Sequence, residues 1–167
     1  MNRFMRGLSA VLWIMLSFVL AVILYLSFQD GESAKDIDNI VIRSLAEWYY
    51  NRDDFNILEM MDITYRFRQF GRIVLFMGLG LLGTSAVHTS FYKIPWIFRT
   101  IIAGLCLMAI AIFTERYKIY LPTRHFSETE MMYSIYGVLT GFFIISVVSL
   151  VLSIIGRIFE LIFYREE

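Results

Sequence analysis

Between residues 114 and 130 the sequence reads TERYKIYLPTRHFSETE, with seven Glu, Arg, Lys or His side chains set between two strongly apolar runs. Glu115, Arg124 and Glu130 in this stretch have the chemistry to make a site. A guanidinium and a carboxylate pair through two parallel N–H···O bonds, and the same planar fork receives a phosphate or carboxylate from a ligand. Similar residues stand at the ends of other apolar runs: Gln29 in SFQD, and Arg68 and Arg72 in RFRQFGR. If those ends gather on one side, Gln29, Arg68, Arg72, Glu115, Arg124 and Glu130 converge on an anionic ligand. Glu115, if burial raised its pKa, could instead act as a general acid or base.

Each residue also has a structural reading. Ser127 and Glu130 form the S-x-x-E capping box of a helix start, and Glu128 complements the helix dipole there. Pro122 biases Leu121 away from helix. Glu115 could mark a membrane interface, and Arg124 could meet lipid phosphate without selectivity. His88 and His125 have no Cys or His at ligand spacing, so no metal site is expected. No Gly-rich phosphate loop, nucleophile elbow or H-E-x-x-H occurs, and no cofactor is expected.

The elements that must position these residues follow from composition. The chain has 167 residues, of which 58% are hydrophobic and only 18% charged, and its mean hydropathy is +0.63. Hydrocarbon tolerates ionised side chains poorly, and here the charges gather in the gaps between apolar runs. Fifteen basic residues balance fifteen acidic ones, and no long basic run points to nucleic acid. A helix needs roughly 20 apolar residues to cross a bilayer. Four runs qualify: approximately 8–28, 72–92, 94–114 and 131–157. Pro95 suits a helix start, and Arg99 can snorkel to the interface. The sequence therefore predicts an all-α integral membrane protein, a four-transmembrane-helix bundle formed by residues 1–167 as a single domain.

Basic residues flanking the spans set their direction. Arg3 and Arg6, Lys93 and Arg99, and Arg157 and Arg165 fall on one side, which makes both termini cytoplasmic. The outer segment, 29–70, lies outside together with the 115–130 loop. Within it, Ile37, Ile40, Val41, Ser44, Leu45 and Trp48 recur at helical spacing. They read as an amphipathic helix on the outer leaflet, or equally as one packed on the ends of the spans.

Small residues within the spans concern packing. Gly137 and Gly141 on the fourth span have small-xxx-small spacing, and Ser134 continues the stripe. Gly78, Gly80, Gly83 and Thr84 thin the second span. Helix contact within the fold explains these better than homodimerisation. The single cysteine, Cys106, excludes an intramolecular disulfide and reads as a small buried hydrophobe.

The order of residues in ERYKIYLPTRHFSETEMMYSIYGVLTG resembles the signature of VanZ-like membrane proteins. Glu115 matches that pattern's first acid, Pro122 its proline, Arg124 its arginine, Ser127 its serine, and Gly137 and Gly141 its glycines. RQFGRIVLFMGLG resembles the second-span motif, with Arg68 as leading arginine, and SFQ the polar close of the first span. Lys118 stands at the Gln position, Thr123 at the turn glycine, Glu130 at the Asp, Ser134 at the Asn or Asp, Arg72 at the histidine and Phe76 at the tyrosine. Arg72 and Ser134 cannot exchange protons as His or Asp would, whereas Arg68, Glu115, Arg124 and Glu130 keep their charge type, which suits binding or structure.

The resemblance implies a multi-pass protein of the bacterial plasma membrane concerned with the envelope, in a family linked to glycopeptide (teicoplanin) resistance. The expected function is an outward-facing Arg/Glu pocket for an anionic lipid or lipid-linked ligand, such as a cell-wall-precursor lipid. Arg68 and Arg124 would hold the anion, oriented by Glu115 and Glu130. The alternatives are a membrane enzyme acting on a lipid head group, or a structural partner of another membrane protein. Transport is disfavoured, because no span centre carries an ionisable residue.

Overall fold

The computed structural model describes residues 3–28, 57–120 and 126–163 of the chain. Four long helices account for nearly all of them: α1 (Arg3–Phe28), α2 (Ile57–Ser90), α3 (Trp96–Arg116) and α4 (Glu128–Phe163). A 3-10 turn, Tyr117–Tyr120, extends α3. The apolar stretches Met5–Ser27, Met61–Ser90, Trp96–Tyr120 and Glu128–Phe159 are each long and apolar enough to cross a membrane. The chain is a multi-pass, all-α membrane protein, and the expected four-helix bundle is the observed one.

Helix α2 starts earlier than expected, because residues 57–70 belong to it and not to a separate outer segment. Their charges interrupt the hydropathy without interrupting the helix. Asp62 and Arg66, one turn apart, pair at 3.0 Å on an exposed face, while Ile63 and Phe67 are half-buried and Gln69 is buried. Helix α4 is longer at both ends than 131–157. Pro95 is the N-cap residue of α3, just before its first turn. The tight connection from α2 is closed by Phe91 N–H donating to the Val87 carbonyl at 3.0 Å and Ile94 N–H to the Phe91 carbonyl at 2.9 Å. The amphipathic helix expected within 33–50 lies outside the described residues, as do Gln29, Pro122 and Arg124.

The most extensive helix interface joins α2 to α4, and glycine makes it possible. A Cβ on Gly137 would stand 2.6 Å from the Ile73 carbonyl oxygen, and one on Gly141 would stand 2.7 Å from the Leu81 nitrogen and run into the Met77 carbonyl oxygen. The backbones therefore touch, as small residues permit in membranes where no hydrophobic force drives helices together. Gly80 faces Val138 and Phe142 across the same seam, and Gly83 receives Leu107 of α3. Gly78 does not share this role: nothing lies within 4 Å of its would-be Cβ. An apolar central layer of Ile23, Phe76, Leu79, Leu107, Ala111 and Val138 draws on all four helices. Cys106, expected in the interior, is exposed on the bundle surface instead.

Polar side chains collect above and below this layer. One group surrounds Arg72 and the other surrounds His88, about 24 Å apart along α2 at a rise of about 1.5 Å per residue. That spacing approaches the roughly 30 Å thickness of bilayer hydrocarbon.

Candidate functional site

The Arg72 group is assembled from three parts of the chain. Arg72 points from α2 into the bundle, Glu115 ends α3, Lys118 sits one turn later in the 3-10 turn, and Glu130 lies in the first turn of α4. Arg72 Nη1 donates to Glu115 Oε1 at 2.5 Å, and its Nη2 donates to Glu130 Oε2 at 2.7 Å. Lys118 Nζ donates to Glu115 Oε2 at 2.7 Å and to Glu130 Oε2 at 3.3 Å. Two cations and two carboxylates thus alternate in a closed, electrically neutral ring.

Burial differs around the ring. The side chains of Glu115 and Lys118 are 1% and 3% exposed, those of Arg72 and Glu130 15% and 22%. Both oxygens of Glu115 accept from cations, one each. Glu130 uses a single oxygen, Oε2, for both cations. The Arg72–Glu130 edge is therefore the more open side.

Local structure holds the members in place. Ser127 Oγ accepts the Glu130 N–H at 3.4 Å, a long version of one half of the capping box. The Glu130 carboxylate is committed to Arg72 and Lys118, so the capping box does not account for it. Ser134 Oγ donates to the Glu130 carbonyl at 3.2 Å, and Thr114 Oγ1 to the Ala111 carbonyl at 3.0 Å. One turn before Arg72, Gln69 is only 6% exposed. Its buried Oε1 has no hydrogen-bond partner among the described residues.

Of the six candidate ligand-binding residues, the structure brings Arg72, Glu115 and Glu130 together. Arg68 is exposed on α2, and the cations that Glu115 and Glu130 orient are Arg72 and Lys118. Gln29 and Arg124 lie outside the described residues. Ser134, Gly137 and Gly141 continue along α4 beneath Glu130, toward the seam with α2. Lys118 is the member the sequence reading missed. Its signal was there: Glu115 and Lys118 stand three residues apart, a spacing that brings side chains together on a helix.

The second polar group ties the opposite ends of the helices. Ser149 Oγ lies 3.1 Å from His88 Nδ1, and Thr100 Oγ1 lies 3.5 Å from His88 Nε2. Thr100 Oγ1 donates to the Trp96 carbonyl at 2.9 Å. Arg99 Nη1 donates to the His88 carbonyl at 3.0 Å, satisfying one of the carbonyls that a helix end leaves open. Helix α1 joins through Ser9 Oγ, 2.7 Å from Ser90 Oγ, and through the Trp13 indole N–H at 2.9 Å from the same oxygen.

Compared with protein-family models, with curated proteins and with solved structures, the chain matches none.

Proposed function

We propose that the Arg72–Glu115–Lys118–Glu130 ring is a binding site at the outer face of a bacterial plasma membrane, taking the anionic group of a lipid or lipid-linked ligand. The observation that carries this reading is a ring of four charges, two buried and two half-buried, at the end of a bundle that glycine packing already holds together. Buried ion pairs add little net stability once desolvation is counted, so the ring calls for a reason beyond stability. The ligand's anion would displace Glu130 Oε2, the acceptor shared by both cations, and take Arg72 and Lys118. Glu115 would keep both cations in place.

Two further points support the reading. Glu115 keeps the acid of the VanZ-like pattern, Lys118, Glu130 and Arg72 stand at three further positions of that pattern with other residues in place, and Arg72 meets the other three across 43 residues or more. The basic flanks of the spans favour an outward orientation for the ring, with both termini cytoplasmic. In such a family the ligand would be an envelope lipid or a cell-wall-precursor lipid.

The test is native mass spectrometry of the purified protein with its lipids identified. Wild type is expected to retain an anionic or phosphate-bearing lipid that Arg72→Ala loses, and equal retention by a folded Arg72→Ala protein would refute the site. The ring's neutrality favours a second reading, a structural clamp between α2, α3 and α4. In that case the variant would lose thermal stability without changing lipid content.

A further inference from the structure

The ring and Gln69 together restrict the ligand further. An anion entering at the Arg72–Glu130 edge frees the Glu130 carboxylate, which is then a partly buried charge without a cation. A ligand bearing only negative charge leaves that deficit in place. A ligand that carries an ammonium beside its anion removes it, because its two charges insert between Arg72 and Lys118 on one side and Glu130 on the other. The site then stays neutral and every charge keeps a partner.

Gln69 supplies an independent observation. Its amide oxygen is sealed from solvent, lacks a partner among the described residues, and belongs to a side chain only 6% exposed. Residues three apart on a helix stand about 5–6 Å apart at Cβ, which puts Gln69 beside Arg72. Gln69 stands one turn nearer the N-terminus of α2 than Arg72. A buried amide oxygen without a donor is costly, and an ammonium N–H seated beside the Arg72–Glu130 edge would satisfy it. Glu130 accepts through its carboxylate and Gln69 through Oε1, so a donor seated between them would serve both.

We infer that the ring binds a zwitterionic phosphodiester lipid with a primary ammonium, a phosphoethanolamine-type head group. Its phosphate lies on Arg72 and Lys118, and its ammonium on Glu130 and Gln69 Oε1. This rests on the proposed site and names its ligand class.

The test is native mass spectrometry of the full-length protein equilibrated with an equimolar mixture of four lipids sharing the same acyl chains. These are phosphatidylethanolamine, phosphatidylcholine, phosphatidylglycerol and phosphatidic acid. Wild type should enrich phosphatidylethanolamine about fivefold to tenfold over phosphatidylcholine, whose quaternary nitrogen has no N–H to donate. Gln69→Leu leaves the ring and the Glu130 acceptor intact and should reduce that preference severalfold while phosphate-dependent retention persists. Arg72→Ala, or Arg72→Lys should the alanine variant misfold, should abolish retention of all four. Preference for phosphatidylglycerol or phosphatidic acid, or an unchanged preference in Gln69→Leu, would overturn the zwitterion. Retention that ignores both Arg72 variants would overturn the site itself, so the two failures are distinct. Soluble glycerophosphoethanolamine tells a membrane-borne ligand from a dissolved one. Lipid that stays bound at tenfold excess supports the lipid form, and complete displacement at equimolar concentration overturns it.

Discussion

Removing the Lys118 ammonium would leave the ring with one cation for two carboxylates. Glu115 Oε2 loses a donor at 2.7 Å and Glu130 Oε2 one at 3.3 Å. Because the Glu115 side chain is 1% exposed, water offers it little compensation. Breaking a buried ion pair by removing one partner costs about 3–5 kcal/mol. Glu130 is partly exposed and can recover some hydration, so Lys118→Met should cost about 3 kcal/mol. Glu115→Gln leaves two cations for one carboxylate and should cost a similar amount. The double variant leaves a matched pair, Arg72 with Glu130, and keeps an amide near Arg72. Neutral replacement of both partners of a buried pair is often close to free, so the double variant should fall within about 1 kcal/mol of wild type. The interaction energy would then be about 5 kcal/mol, far above the few tenths expected of independent sites. Reversible unfolding in mixed detergent micelles, followed by far-ultraviolet circular dichroism, measures all three variants. A double variant as unstable as the sum of the singles would refute the closed ring.

Other expectations are simpler to state. Gly141→Ala forces a methyl against the Met77 carbonyl and should cost about 1–3 kcal/mol as overpacking, whereas Gly78→Ala enters open space and should be neutral or stabilising by up to about 1 kcal/mol from helix propensity; matching melting temperatures would contradict the seam. Cys106 faces outward from the middle of α3, where hydrocarbon disfavours the thiolate that maleimides attack, so in intact membranes it should resist permeant and charged maleimides alike until the protein is unfolded in detergent. Rapid labelling by the charged reagent would place it in water. Asp62→Ala breaks a pair whose side chains are 60% and 77% exposed. It should shift stability by no more than about 0.5 kcal/mol, and a larger loss in thermal denaturation would mean that the pair contacts something more.

The spans were legible because hydropathy is a bulk property that survives ignorance of packing. Where the reading erred, position on the helix surface decided the outcome. Asp62 and Arg66 look like loop residues in a hydropathy profile, but they share one face of α2 and leave Ile63 and Phe67 to the other. Gly78 and Gly80 are two residues apart, so a helix cannot point both at α4, and only Gly80 meets it. Cys106 was assigned to the interior by composition, yet in a membrane bundle apolar residues favour the lipid face as much as the core. The site was half legible. Charge type at the helix ends indicated Arg72, Glu115 and Glu130, but Lys118 was read as a departure from a pattern when its spacing from Glu115 made it a partner. Which arginine the carboxylates would choose depended on the rotation of α2, which tertiary packing sets.

The spacing of the two polar groups also constrains the surrounding membrane. Helix α3 is the shortest of the four, about 30 Å from Trp96 to Arg116, and near its ends it carries a partner of His88 and the Glu115 carboxylate. The apolar stretch of α4 runs about 48 Å, well past the His88 group. Around α3 the protein therefore matches an ordinary bilayer with little excess, and around α4 it exceeds one. Lipid needs no thinning beside α3, while α4 takes up its excess by leaning or lying partly in the interface. In a thicker membrane α3 has no length to spare, and the charges tied to it would be drawn toward hydrocarbon.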